Sequence, residues 1–116
     1  MILDDIKNAL ETVDPLVFYG KASGVSDGDL WNYIVFSRNS LNTTGGGTGI
    51  ANSYHVAIVR ENFIPEETVR DVIDAMCGLA GMRLTGSEFS YQYAAKPKTN
   101  TIVELLVMEF AKPRKR

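Results

Sequence analysis

The chain has 116 residues, 45% hydrophobic and 22% charged, with one cysteine and one histidine. That length supports one core burying roughly 60–70% of the unfolded surface, and leaves no room for a catalytic domain beside a separate binding domain. The net charge of −2 conceals a division: Lys112, Arg114, Lys115 and Arg116 hold four of the twelve basic residues, so residues 1–111 set eight basic against fourteen acidic residues, a net −6. An acidic body with a basic tail argues against nucleic-acid binding over the whole surface.

Ile2, Leu3, Ile6, Leu10 and Val13 recur at spacings of three and four, one face of a helix over residues 2–13. Asp4 and Asp5 suit the positive end of its dipole, and Pro15 ends it. Leu16 to Tyr19 is a short apolar run closed by Gly20, read as a strand, and residues 20–30 are rich in Gly, Ser and Asp, read as a turn-rich connection. Trp31–Arg38 and Tyr54–Arg60 are aromatic and β-branched and should be strands. Between them, residues 39–50 offer little to bury, and the expectation is a flexible arm joining two paired strands. A connection of that length in a compact domain is usually functional.

A second helix is predicted from about Pro65 to Leu79. Glu66 and Glu67 occupy its first turn, and Val69, Val72, Ile73, Met76 and Leu79 form its buried stripe. Two long strands should follow, Met82–Ala94 and Thr101–Ala111, joined across Lys96–Asn100. The last is apolar on both faces, with Val103, Leu105 and Val107 on one and Ile102, Leu106, Met108 and Phe110 on the other. It should therefore lie inside a sheet covered on both sides, or be covered on one side by a second subunit. Glu104 interrupts the second set and needs a partner if buried. The order α-β-β-β-α-β-β describes a single α+β domain over residues 1–111, its sheet mixed or antiparallel with the helices on one face, followed by a basic tail at 112–116 that is expected to leave the fold.

The chemistry-bearing residues do not form a catalytic set. Gly45-Gly46-Gly47-Thr48-Gly49 lacks the Gly-Lys-Ser/Thr ending of a phosphate loop and leads into a strand rather than a helix. His55 has no sequence neighbour able to orient it as a base and reads as a surface or sheet-packing residue. One histidine and one cysteine do not make a metal site, and Cys77 reads as a small buried thiol. It also excludes an intramolecular disulfide and suits a reducing compartment. Glu66 and Glu67 precede Arg70 at ion-pair spacing, as on a solvated helix face. Phe89, Tyr91 and Tyr93 alternate as a base-stacking platform would. Without interleaved basic residues they read as core or subunit interface. No enzyme activity and no cofactor are expected. The longest aliphatic run, Leu105 to Met108, is far short of the roughly 20 residues that span a bilayer, and the first residues lack the basic segment of a signal peptide.

The N-terminal amphipathic helix, Trp31-Asn32-Tyr33-Ile34-Val35-Phe36-Ser37-Arg38, the long polar connection, Tyr54-His55-Val56-Ala57-Ile58-Val59-Arg60-Glu61, Ile64-Pro65-Glu66-Glu67 and the closing Glu109-Phe110-Ala111-Lys112-Pro113-Arg114 together resemble the small neck proteins of long-tailed phages. The class they resemble most is the tail terminator, or tail-to-head joining protein. The likeness covers nearly the whole chain and is one of length, element order and loop placement.

That resemblance implies a structural protein of the virion neck, present in the host cytoplasm during assembly. It would form a ring, commonly a hexamer, on the head-proximal end of the tail tube, stop tube growth and present a surface to the head connector or head-completion protein. Genome DNA would pass through the bore without sequence-specific binding. The residues expected to meet the tube or a neighbouring subunit are Ser40, Leu41, Asn42, Thr43, Thr44, Gly45, Gly46, Gly47 and Thr48, with Lys112, Arg114, Lys115 and Arg116 available to an acidic neighbour. Two other readings stand beside this one. One is a nucleic-acid-binding module working through the basic tail; the other, a small α+β enzyme, lacks a constellation to support it.

Overall fold

The computed structural model describes residues 2–20, 32–43, 49–85, 89–95 and 101–115. Helix α1 (Ile2–Glu11) is followed by strands β1 (Val17–Tyr19), β2 (Tyr33–Thr43) and β3 (Gly49–Glu61), helix α2 (Glu66–Asp74) continued by a π-helical turn at Ala75–Leu79, and strands β4 (Arg83–Thr85), β5 (Tyr91–Ala95) and β6 (Ile102–Lys115). The fold is α+β with a six-stranded mixed sheet ordered β1-β2-β3-β6-β4, and β5 also pairs with β6. Only β1 and β2 run parallel; the pairs made by β3 and β6 are antiparallel.

Period-two alternation places Ile34 and Phe36 of β2, Tyr54, Val56 and Ile58 of β3, and Leu106, Met108 and Phe110 of β6 in one buried layer. Ile6, Ala9 and Leu10 of α1 and Val72, Ala75 and Met76 of the second helical segment complete that layer. Helix α1 stops before Pro15, with the Thr12 hydroxyl donating to the Ala9 carbonyl at 2.6 Å. Pro65 caps α2 in an extended conformation instead of entering it.

The helical stripe fails at its last member. Leu79 is 66% exposed, Cys77 is also exposed, and Ala80 is buried. The cause is the π-turn: the Ala80 amide reaches the Ala75 carbonyl at 3.1 Å, five residues back. One extra residue in the turn carries Ala80 into the place a regular helix would give Leu79.

The expected single strand over Met82–Ala94 is two short ones. Both lie against β6, β4 over Ala111–Glu109 and β5 over Leu106–Ile102. A larger correction concerns the polar segments. Residues 39–43 are not a flexible connection but the end of β2, paired with β3 through Ser40↔Ser53, Leu41↔Asn52, Asn42↔Ala51 and Thr43↔Ile50 after an irregularity at Asn39. Nor does the tail leave the fold: β6 runs on through Lys112↔Asn52, Pro113↔Ala51, Arg114↔Ile50 and Lys115↔Gly49. Backbone pairing needs no apolar side chain, so hydrophobic patterning does not reveal it. Thr44, Gly45, Gly46, Gly47, Thr48 and Arg116 lie outside the described residues.

Candidate functional site

Strands β2, β3 and β6 run beyond Phe36, Tyr54 and Phe110, the last members of the described core along each, and form a three-stranded arm. The fourteen residues of β6 span roughly 46 Å at about 3.3 Å each, which accounts for a long dimension of 53 Å against 26 and 23 Å for the others. Past Ala111, the last residue paired with β4, β6 is hydrogen-bonded on one side only among the described strands. Pro113 is tolerated there because an edge strand can spare an amide donor. Proline and lysine are also the residues that protect an edge from unwanted pairing.

The arm unites the two sequence segments expected to contact partners. Leu41, Asn52 and Lys112 share one rung, as do Asn42, Ala51 and Pro113, and Thr43, Ile50 and Arg114. Its charge is one-sided. Residues 38–54 contain Arg38 and no acidic residue, and residues 111–116 contain four basic residues and no acidic one. Arg38 stands at the arm's base, its Nε donating to the Tyr19 hydroxyl at 3.0 Å, and that hydrogen bond raises the guanidinium pKa further above its ordinary value.

The sheet face opposite the helices carries a second feature. Phe18, Tyr33, Val35, Ala57 and Leu105 are half-buried and Val107 is exposed. Phe18 and Tyr33 meet edge to face, with centroids 6.0 Å apart. The apolar character of β6 on both sides therefore reflects a packed face and a second, partly open one.

On that open face His55 Nε2 lies 3.8 Å from Glu109 Oε1, while Glu109 Oε2 accepts from the Thr85 hydroxyl at 2.8 Å. Sequence reasoning missed this partner because it is supplied by register, His55 opposite Glu109. The carboxylate stands between hydroxyl and imidazole, whereas nucleophilic catalysis needs the imidazole between the other two. At about 40% side-chain exposure on both partners, the arrangement is a surface pair worth roughly 0–1 kcal/mol. Among the described residues no group of three or more metal-ligating side chains converges.

Two buried polar arrangements hold the end of the sheet opposite the arm. Arg60 pairs with Asp14, and its Nη1 donates to the Val59 and Tyr33 carbonyls at 2.9 and 3.3 Å. Glu104, anticipated as needing a partner, accepts from the Ile64 amide at 2.7 Å and from the Tyr93 hydroxyl. The aromatic stripe on β5 is therefore not core: Tyr91 and Tyr93 are 43% and 63% exposed, while Phe89 packs against the core.

The hydrogen bond to Glu104, then burial and the carboxylate's charge, raise the Tyr93 phenol above its ordinary value near 10. Its contribution to stability is thus complete below pH 10 and is lost as pH rises through the raised folded-state value, because the native state holds that proton longer than the unfolded chain. Tyr93→Phe should show a smaller fall in melting temperature between pH 9 and 11 than the wild type. Identical alkaline profiles would show that the contact does not form.

No protein-family model matches the chain, and no curated protein matches its sequence. A solved structure described as "Virion of native gene transfer agent (GTA) particle" contains a similar chain, at 12% identity and a TM-score of 0.41, the match covering 93% of this chain and 91% of that one.

Proposed function

We propose that this chain is a non-enzymatic structural protein of a phage-like virion neck, a tail terminator that assembles as a ring on the head-proximal end of the tail tube and joins it to the head. The observation that carries the reading is the arm. Three strands carry their pairing past the last described core residues, through segments whose sequence is polar or basic, and such a projection serves contact with another molecule rather than stability of its own domain. The half-exposed apolar face of β2, β3 and β6 supports the same reading, since a neighbour in a ring would cover it. The sequence resemblance points the same way, towards a ring, commonly hexameric, meeting tube protein on one side and head connector on the other. Genome DNA would cross the bore unread, beside a body whose acidic excess repels phosphates.

Deleting the gene in a host that produces the particles tests this. The expected result in electron micrographs is full heads separated from tails, with tubes of uncontrolled length. Unjoined tails of normal length would move the protein to a connector or head-completion position in the same neck. Normally joined particles would overturn both. Loss of DNA binding on removing residues 112–116, with virions intact, would favour a nucleic-acid-binding module.

A further inference from the structure

The arm's basic tip and the opposite end of the sheet are chemically unlike. Phe63 is 64% exposed, Tyr93 63%, Ile102 51% and Tyr91 43%; the last three stand on the paired strands β5 and β6, and Phe63 on the loop bonded to the start of β6. The Asn62 amide bonds to the Ile102 carbonyl at 2.7 Å, the Ile64 amide to Glu104 at 2.7 Å, and the Tyr93 hydroxyl to the same Glu104. Phe63 is thus held between the residues that tie its loop to β6. Asn62 makes that turn at φ 70°, a left-handed conformation that asparagine tolerates better than most residues.

Acidic residues flank Phe63 along the chain. Glu61 ends β3, and Glu66 and Glu67 open α2, both exposed. Residues 61–67 hold these three glutamates and no basic residue. Exposed aromatic rings within an acidic rim suit a lysine- and arginine-bearing segment, whose cations stack on the rings and pair with the carboxylates.

The chain supplies such a segment, but not within reach of its own corner. Gly49↔Lys115 and Glu61↔Val103 mark the two ends of the β3–β6 ladder. Thirteen residues of β3 separate them by roughly 40 Å. We propose that the basic arm tip of one copy docks on the aromatic, acid-rimmed corner formed by Phe63, Tyr91, Tyr93 and Ile102 of the next copy. Unlike patches on one chain make a heterologous contact, which closes into a ring when the rotation between copies allows. The proposal rests on the assembly reading above and names the surfaces through which copies meet.

Charge exchange tests it on the full chain by sedimentation velocity over a concentration series. The wild type is expected to self-associate, less so as salt rises. K112E/R114E/K115E and E66K/E67K should each raise the midpoint concentration by about tenfold or more, and their combination should bring it back towards wild type. Phe63→Ser should weaken association without altering charge, and its exposure keeps it neutral to folding, so it decides the matter if a reversal variant no longer melts cooperatively. A wild type that stays monomeric at low salt, or folded variants that associate as the wild type does, would overturn the contact. Association unchanged by the reversals, beside a deletion that unjoins heads and tails, would remove this contact while leaving the neck assignment standing.

Discussion

Asp14→Ala should lower stability by about 3–5 kcal/mol, the cost of leaving a largely buried arginine without its counter-charge. Asp14 and Arg60 are 9% and 16% exposed at the side chain, so water replaces little of what is lost. The carboxylate has two tasks, since Oδ1 also accepts from the Leu16 amide at 2.8 Å and fixes the turn from α1 into β1. Arg60 would keep only the Val59 and Tyr33 carbonyls, which satisfy hydrogen bonds without neutralising charge. For a domain of this length the melting midpoint should fall by roughly 10–20 °C. Asp14→Asn should recover part of the loss through the turn, and Asp14→Leu combined with Arg60→Met more of it, because an apolar pair leaves no buried charge. A double variant no more stable than Asp14→Ala would show that the loss comes from the contact and not from the orphaned cation.

The core was legible because its residues repeat at the periods of the elements that bury them. Ile34, Phe36, Val56, Ile58, Leu106, Met108 and Phe110 alternate, and Ile6 and Leu10 lie one helical turn apart. What escaped the sequence is of three physical kinds. Leu79 and Cys77 depend on the hydrogen-bond step of one turn, and no side-chain pattern records whether an amide reaches back four residues or five. The arm depends on backbone pairing by Ser40, Asn42, Asn52 and Lys112, residues that patterning assigns to loops because they are polar. Asp14–Arg60 and His55–Glu109 are pairs distant in sequence and set by topology. The candidate assembly surface follows the same division: one segment was identifiable as polar and the other as basic, but their union on three strands was not.

Leu106→Asp should unfold the protein outright near neutral pH. Leu106 is 3% exposed, opposite Ile58 on β3 and Tyr91 on β5, within the layer that α1 and α2 cover. Losing the leucine removes roughly 2–3 kcal/mol of burial. The introduced carboxylate adds a larger cost, several kcal/mol, because the apolar neighbours Ile58, Met108 and Phe110 can neither pair with it nor donate to it. The sum is comparable with the roughly 5–15 kcal/mol that holds a domain of this size together. The pH dependence separates charge from shape. Burial would raise the new carboxyl's folded-state pKa, so the folded form is favoured while the group stays protonated and loses that advantage as pH rises through the raised value. The deficit of Leu106→Asp relative to Leu106→Asn should therefore narrow as pH falls from the raised value towards about 4, below which both states hold the proton, read from urea midpoints or refolding yield. A soluble, cooperatively melting Leu106→Asp variant at pH 7 would place Leu106 on an open face and overturn the packing of the helices against this side of the sheet.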